Sequence, residues 1–145
     1  MAFPLPVPGL VIRYSYLWAS EHTGGQEEGL KDRPCAVVLV SVGKAGEQIV
    51  VVLPITHTPP ANPLLAVEIP IATKRRLGLD DERSWVALTE ANRFIWPGPD
   101  LRPAQPGNAA SVAYGPLPYG LFETIRSKFV AALKARSAQT VPRTE

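Results

Sequence analysis

The chain has 145 residues, with 15 Lys and Arg against 13 Asp and Glu, a formal charge of +2 and a 46% apolar share. That length fits one domain, and the composition is too apolar and too weakly charged for a disordered chain. With one cysteine, Cys35, and two histidines in all, an internal disulfide framework is excluded and a zinc site on His and Cys ligands is disfavoured, so no metal or cofactor is expected.

The charge permits a nucleic-acid partner without requiring one. Residues 1–9 hold three prolines and no cationic segment, and no apolar run approaches the roughly 20 residues of a membrane span, so a cytoplasmic protein without a membrane anchor is expected. The 16 prolines and 11 glycines point to short strands with many corners.

In chain order, residues 11–18 put Ile12, Tyr14, Tyr16 and Trp18 on one face at period two, the pattern of a half-buried strand. Residues 19–32 are polar, glycine-bearing and without periodicity: a long loop, either a binding segment or a plain hairpin tip. Residues 35–42 and 48–55 are β-branched runs joined by Gly43-Lys44-Ala45-Gly46, a hairpin at the centre of a sheet. Pro54 should end or bend the second run and present residues 55–58 at a margin.

Further short strands are expected at 65–71, 85–88, 93–96 and 111–114, with a turn or single helical turn at 75–81. From 121 to 136, Leu121, Phe122, Ile125, Phe129, Ala132 and Leu133 recur at helical spacing, with the acidic residue early and basic residues late. The expectation is a mainly β protein with one C-terminal helix, a small barrel or sandwich over residues 1–136, followed by a flexible tail at 137–145.

Arg33 stands where the long loop enters an apolar strand, and Pro34 biases it toward extended backbone that projects the side chain from the sheet rim. It is either a solvated strand-end arginine or a phosphate ligand, since the guanidinium fork is planar and permanently charged. Arg33 lies ten residues before Gly43 and Thr56 ten after Gly46, so hairpin pairing brings them to one rim, where an arginine and a hydroxyl form an anion pocket. Thr58 adds a further donor there, and His57 is either a general base or a surface loop histidine.

Lys74-Arg75-Arg76 with Arg93 and Arg102 supplies cations for a phosphate backbone, and Trp18, Phe94, Trp96 and Tyr114 supply stacking faces, although such residues are also common in turns and cores. Asp80-Asp81-Glu82 reads as a turn or helix cap, and Glu90 with Arg93 as a structural ion pair.

Taken together, Gly9 before the first strand, Lys31-Asp32-Arg33-Pro34 ahead of Ala36-Val37-Val38-Leu39, Leu53-Pro54-Ile55-Thr56, Val67-Glu68-Ile69, and Glu90 with Arg93 resemble the MazF/PemK family of bacterial toxin endoribonucleases. The resemblance runs from Gly9 to about Leu133, and its most specific element is the Arg-Pro strand entry followed by Pro-Ile-Thr. It implies an SH3-like barrel, a homodimer with single-stranded RNA along its interface, and a cognate antitoxin that covers the RNA groove.

It further implies metal-independent cleavage in which the ribose 2′-hydroxyl attacks the adjacent phosphorus, leaving a 2′,3′-cyclic phosphate and a 5′-hydroxyl. Arg33 matches the family arginine, which stabilises phosphate charge or protonates the leaving oxygen, and Thr56 matches the family threonine, which holds a phosphate oxygen. Independently of the resemblance, His57 is a catalytic candidate as a substitute base, and Lys31, Thr58, Lys74, Arg75, Arg76 and Arg93 are candidate RNA contacts. The chain departs from the family pattern in Leu10, where an acidic residue is usual, in the longer first loop, and in His57-Thr58-Pro59-Pro60. Two other readings stand beside it: a non-catalytic module of the same fold that binds nucleic acid or inhibits gyrase, and an SH3-like peptide adaptor.

Overall fold

The computed structural model describes residues 3–20, 32–108 and 111–143. The two β-branched runs form the long central hairpin, β2 (Arg33–Val42) and β3 (Gln48–Thr56), in antiparallel register from Val42↔Gln48 to Cys35↔Pro54. Its turn closes through Gly43 N–H to the Glu47 carbonyl at 2.8 Å, and Gly46 takes a φ of 83° there, a conformation that favours glycine.

β1 (Leu10–Tyr14) flanks β2, and β7 (Ala113–Pro116) flanks β1. On its other edge β3 changes partner along its length: residues 48–52 pair with β6 (Glu90–Trp96), whereas Ile55 and Thr56 pair with β5 (Trp85–Ala87). Pro54, which has no ladder donor, falls between the two ladders, so the strand continues past it to Thr56 instead of ending there. β4 (Ala66–Glu68) pairs with β5, and β8 (Gln139–Pro142) runs parallel to β6.

The described residues are therefore mainly antiparallel β with two α-helices, α1 (Ile71–Leu77) and the C-terminal α2 (Tyr119–Lys134). Among the described residues no ladder joins the outer strands β4, β7 and β8, so the sheet is not closed into a barrel. No helix among them is long and apolar enough to cross a membrane.

Period-two alternation divides the buried side chains between two cores. Val11, Ala36, Val38 and Leu53 pack with Phe122, Ile125 and Phe129 of α2, whereas Ile12, Cys35, Val37 and Val52 pack with Tyr14, Tyr16, Phe94 and Trp96. Both faces of the hairpin are thus covered, which is why its strands read as continuous apolar runs rather than alternating ones.

Four elements differ from the sequence expectation. β1 ends at Tyr14 rather than at residue 18, although Tyr16 is still buried. The segment expected as a strand at 65–71 is a short β4 that gives way to α1 at Ile71, and α1 stops at Gly78, whose φ of 75° makes the left-handed cap. β7 lies at 113–116, two residues later than the strand expected at 111–114.

The fourth concerns the tail expected to be flexible, which instead supplies β8 and buries Arg143. Arg143 donates to the Ser15 carbonyl at 2.6 Å and Asn92 Oδ1 at 2.9 Å, and its Nη2 lies 3.0 Å from Asp100 Oδ2. A polar segment with one buried apolar side chain, Val141, is thereby held in the sheet by an internal cation.

Candidate functional site

The β2–β3 register places Arg33 and Thr56 at one end of the hairpin, and both line an open cleft of about 560 Å³. His57, Thr58, Lys74 and Asp80 line it too, so the sequence-predicted rim residues do meet.

Arg33 opens β2 opposite Tyr14 of β1. Its Cζ lies 5.0 Å from the centroid of the Trp18 ring, and its buried Nε has no hydrogen-bond partner among the described residues. The neighbouring Asp32 is taken by Arg13 at 3.8 Å and Arg102 at 3.5 Å. Lys74 is held by Asp80, so among the described residues of the lining Arg33 is the cation without a carboxylate. A guanidinium fixed in direction but not neutralised is suited to an incoming anion.

Thr56 closes β3, and its Oγ1 accepts the Thr58 N–H at 3.1 Å, a local turn that leaves the hydroxyl proton free to donate into the cleft. His57, between them, is half exposed, with Nε2 2.8 Å from Asp80 Oδ2 and 3.4 Å from Glu82 Oε2. An imidazole backed by carboxylates is equipped for proton transfer.

Lys74 does not match its expected role as an RNA contact. Its side chain is 2% exposed and faces inward beside Leu77, because residues three apart share one face of α1. The ammonium donates to Asp80 Oδ1 at 2.5 Å, to Ser84 Oγ at 2.6 Å and to the Glu82 carbonyl. Burial pushes the Asp80 carboxyl up, but hydrogen bonds from Lys74, His57 and the Glu82 N–H outweigh it and hold the group below the usual carboxylate range.

The other expected contacts divide. Arg75 is exposed 3.4 Å from Asp81, and Arg76 is exposed but donates to the Pro116 carbonyl at 2.7 Å. Arg93 is exposed on β6, outside the cleft lining, and Lys31 lies outside the described residues. The expected Glu90–Arg93 pair is not formed; Glu90 accepts from the Tyr16 hydroxyl at 3.1 Å and the Ala19 N–H at 2.8 Å.

Sequence reasoning missed the Asp80 and Glu82 side of the site, having read those residues as a turn or cap. His57, Asp80 and Glu82 bring ligand-type atoms within 4.8 Å of one another, but Lys74 already sets a fixed positive charge against Asp80, which opposes a second cation there. The available signal was the helix stop at Gly78 between Lys74 and Asp80, which folds the acidic run back onto the helix. Arg13 and Tyr114 complete the far wall. The arrangement can bind a phosphate through Arg33 and Thr56 and move a proton through His57.

No protein-family model matches the chain, and no curated protein matches it.

Proposed function

We propose that the protein is a metal-independent endoribonuclease of the MazF/PemK type, the toxin of a toxin–antitoxin pair. The observation that carries this reading is the shared cleft of Arg33, Thr56 and His57, in which the buried Arg33 Nε has no hydrogen-bond partner among the described residues. Phosphoryl transfer from a ribose needs little covalent help from the protein; it needs donors aimed at the charge that develops on phosphorus and an acceptor for the 2′-hydroxyl proton. Arg33, permanently protonated, acts as the electrostatic donor to the non-bridging oxygens, Thr56 donates its hydroxyl to one of them, and His57 accepts the proton.

The fold on this reading is an SH3-like barrel variant, acting in the cytoplasm on single-stranded RNA. A second copy of the chain and an antitoxin segment are its protein partners. Exposed Arg75 and Arg76, next to the cleft on α1, extend the phosphate track.

Incubating the protein with a long single-stranded RNA in excess EDTA tests the reading. Wild type should cut the RNA, and Arg33→Ala should not. Binding without cutting would favour a non-catalytic module of the same fold, and cutting that requires an added divalent ion would replace this mechanism with a metal-dependent one.

A further inference from the structure

On the ribonuclease reading of the cleft, we infer that Asp80 is a positioning residue that holds the Nε2 proton of His57, so that Nδ1 is the nitrogen that receives the ribose 2′-hydroxyl proton. The two carboxylates near the ring, Asp80 at 2.8 Å and Glu82 at 3.4 Å, both face Nε2. An ionised carboxylate only accepts hydrogen bonds, so the proton between Asp80 and the ring belongs to Nε2, and the lone pair of the neutral ring falls on Nδ1.

His57 is half exposed and would rotate freely if nothing gripped it. Asp80 can grip it because Asp80 is itself fixed: buried Lys74 takes the other carboxylate oxygen and is anchored in turn by Ser84 and the Glu82 carbonyl. The chain of contacts runs from an immobile ammonium on α1, through Asp80, to an imidazole at the cleft wall.

In the reaction the 2′-O–H bond breaks and its proton passes to Nδ1, the 2′-oxygen bonds to phosphorus, and the bond from phosphorus to the 5′-oxygen breaks. The departing oxygen takes a proton from water at the open mouth, and the imidazolium, countered meanwhile by Asp80 and Glu82, returns its proton to solvent. Among the described residues, the charged and titratable groups that line the cleft with His57 are Asp80, Lys74 of α1, Arg33 of β2 with Asp32 just before it, Arg13 of β1 and Tyr114 of β7, and Glu82 lies 3.4 Å from the ring.

The test uses the full chain and two readouts. Proton–nitrogen NMR of the wild-type imidazole, assigned with His57→Ala, should show one tautomer protonated at Nε2, and Asp80→Asn should show a mixture. In RNA cleavage with EDTA present, Asp80→Asn should lower kcat about 100-fold or more with little change in KM. Adding Asp80→Asn to His57→Ala should cost nothing further.

A wild-type ring protonated at Nδ1, or Asp80→Asn cleaving at the wild-type rate, would overturn the inference. If the wild type shows the expected tautomer but cuts no RNA, the ribonuclease reading falls and the proton-transfer role falls with it, while the positioning contact stands. The wild-type NMR measurement decides the tautomer even where Asp80→Asn folds poorly.

Discussion

The Arg33 guanidinium lies over the Trp18 ring, with Cζ 5.0 Å from the ring centroid. The ring orients the fork without neutralising it, which a carboxylate would do. Arg33→Lys should therefore fail to rescue Arg33→Ala, both losing about 100-fold or more in cleavage, because an ammonium cannot reproduce the two-pronged donor. Trp18→Ala should lower cleavage about tenfold while changing stability by only about 1 kcal/mol. Full activity of Arg33→Lys in a gel-based cleavage assay would contradict this account of the arginine.

Thr56→Val keeps the shape of the side chain and removes the hydroxyl, along with its bond to the Thr58 N–H. The expected result is a loss of about 1 kcal/mol in stability by urea unfolding and a fall in kcat of about tenfold or more. A stability change without any kinetic effect would make Thr56 a turn residue alone.

Lys74 separates from its neighbours by burial. Lys74→Met removes the buried ammonium shared by Asp80, Ser84 and the Glu82 carbonyl and should destabilise the protein by about 2 kcal/mol. Arg75→Ala should leave stability nearly unchanged and flatten the salt dependence of RNA binding by about 0.7 in log–log slope, the share of one phosphate contact on a single strand. Denaturant unfolding and fluorescence binding titrations at several salt concentrations measure both.

Asp80 also gives a pH prediction with a definite sign. Its folded pKa is depressed, so the stability it contributes is present above the unfolded value of about 3.9 and is lost as pH falls through the folded one. Asp80→Asn should therefore lose less stability than wild type as pH is lowered from about 5 to 2. The difference should be small, because the carboxylate is half exposed and screened. Chemical unfolding at each pH reads it.

Arg143 and Asp100 are both buried, 3.0 Å apart, so Arg143→Ala breaks a buried ion pair. It should cost about 3–5 kcal/mol in unfolding free energy, far more than expected of a residue in a frayed tail.

The central hairpin and the meeting of Arg33 with Thr56 were legible in the sequence because a glycine-marked turn between two β-branched runs fixes register by counting. The C-terminal helix was legible from its apolar spacing, starting two residues earlier than expected. β8 was not, since its ladder with β6 joins segments far apart in the chain and Arg143 beside it reaches Ser15, Asn92 and Asp100, contacts that sequence proximity does not reveal. Lys74 was misread for a related reason. Beside Arg75 and Arg76 it looks like part of a solvated basic run, and only the orientation of α1 turns it inward to carboxylate and hydroxyl partners.

The most direct test of the central claim is the chemistry of the ends produced from a short single-stranded RNA in excess EDTA, read by phosphorus NMR and mass spectrometry. The account predicts a 2′,3′-cyclic phosphate on one fragment and a 5′-hydroxyl on the other, both missing with Arg33→Ala. A 5′-phosphate with a 3′-hydroxyl, or an intact RNA after prolonged incubation with folded protein, would contradict it.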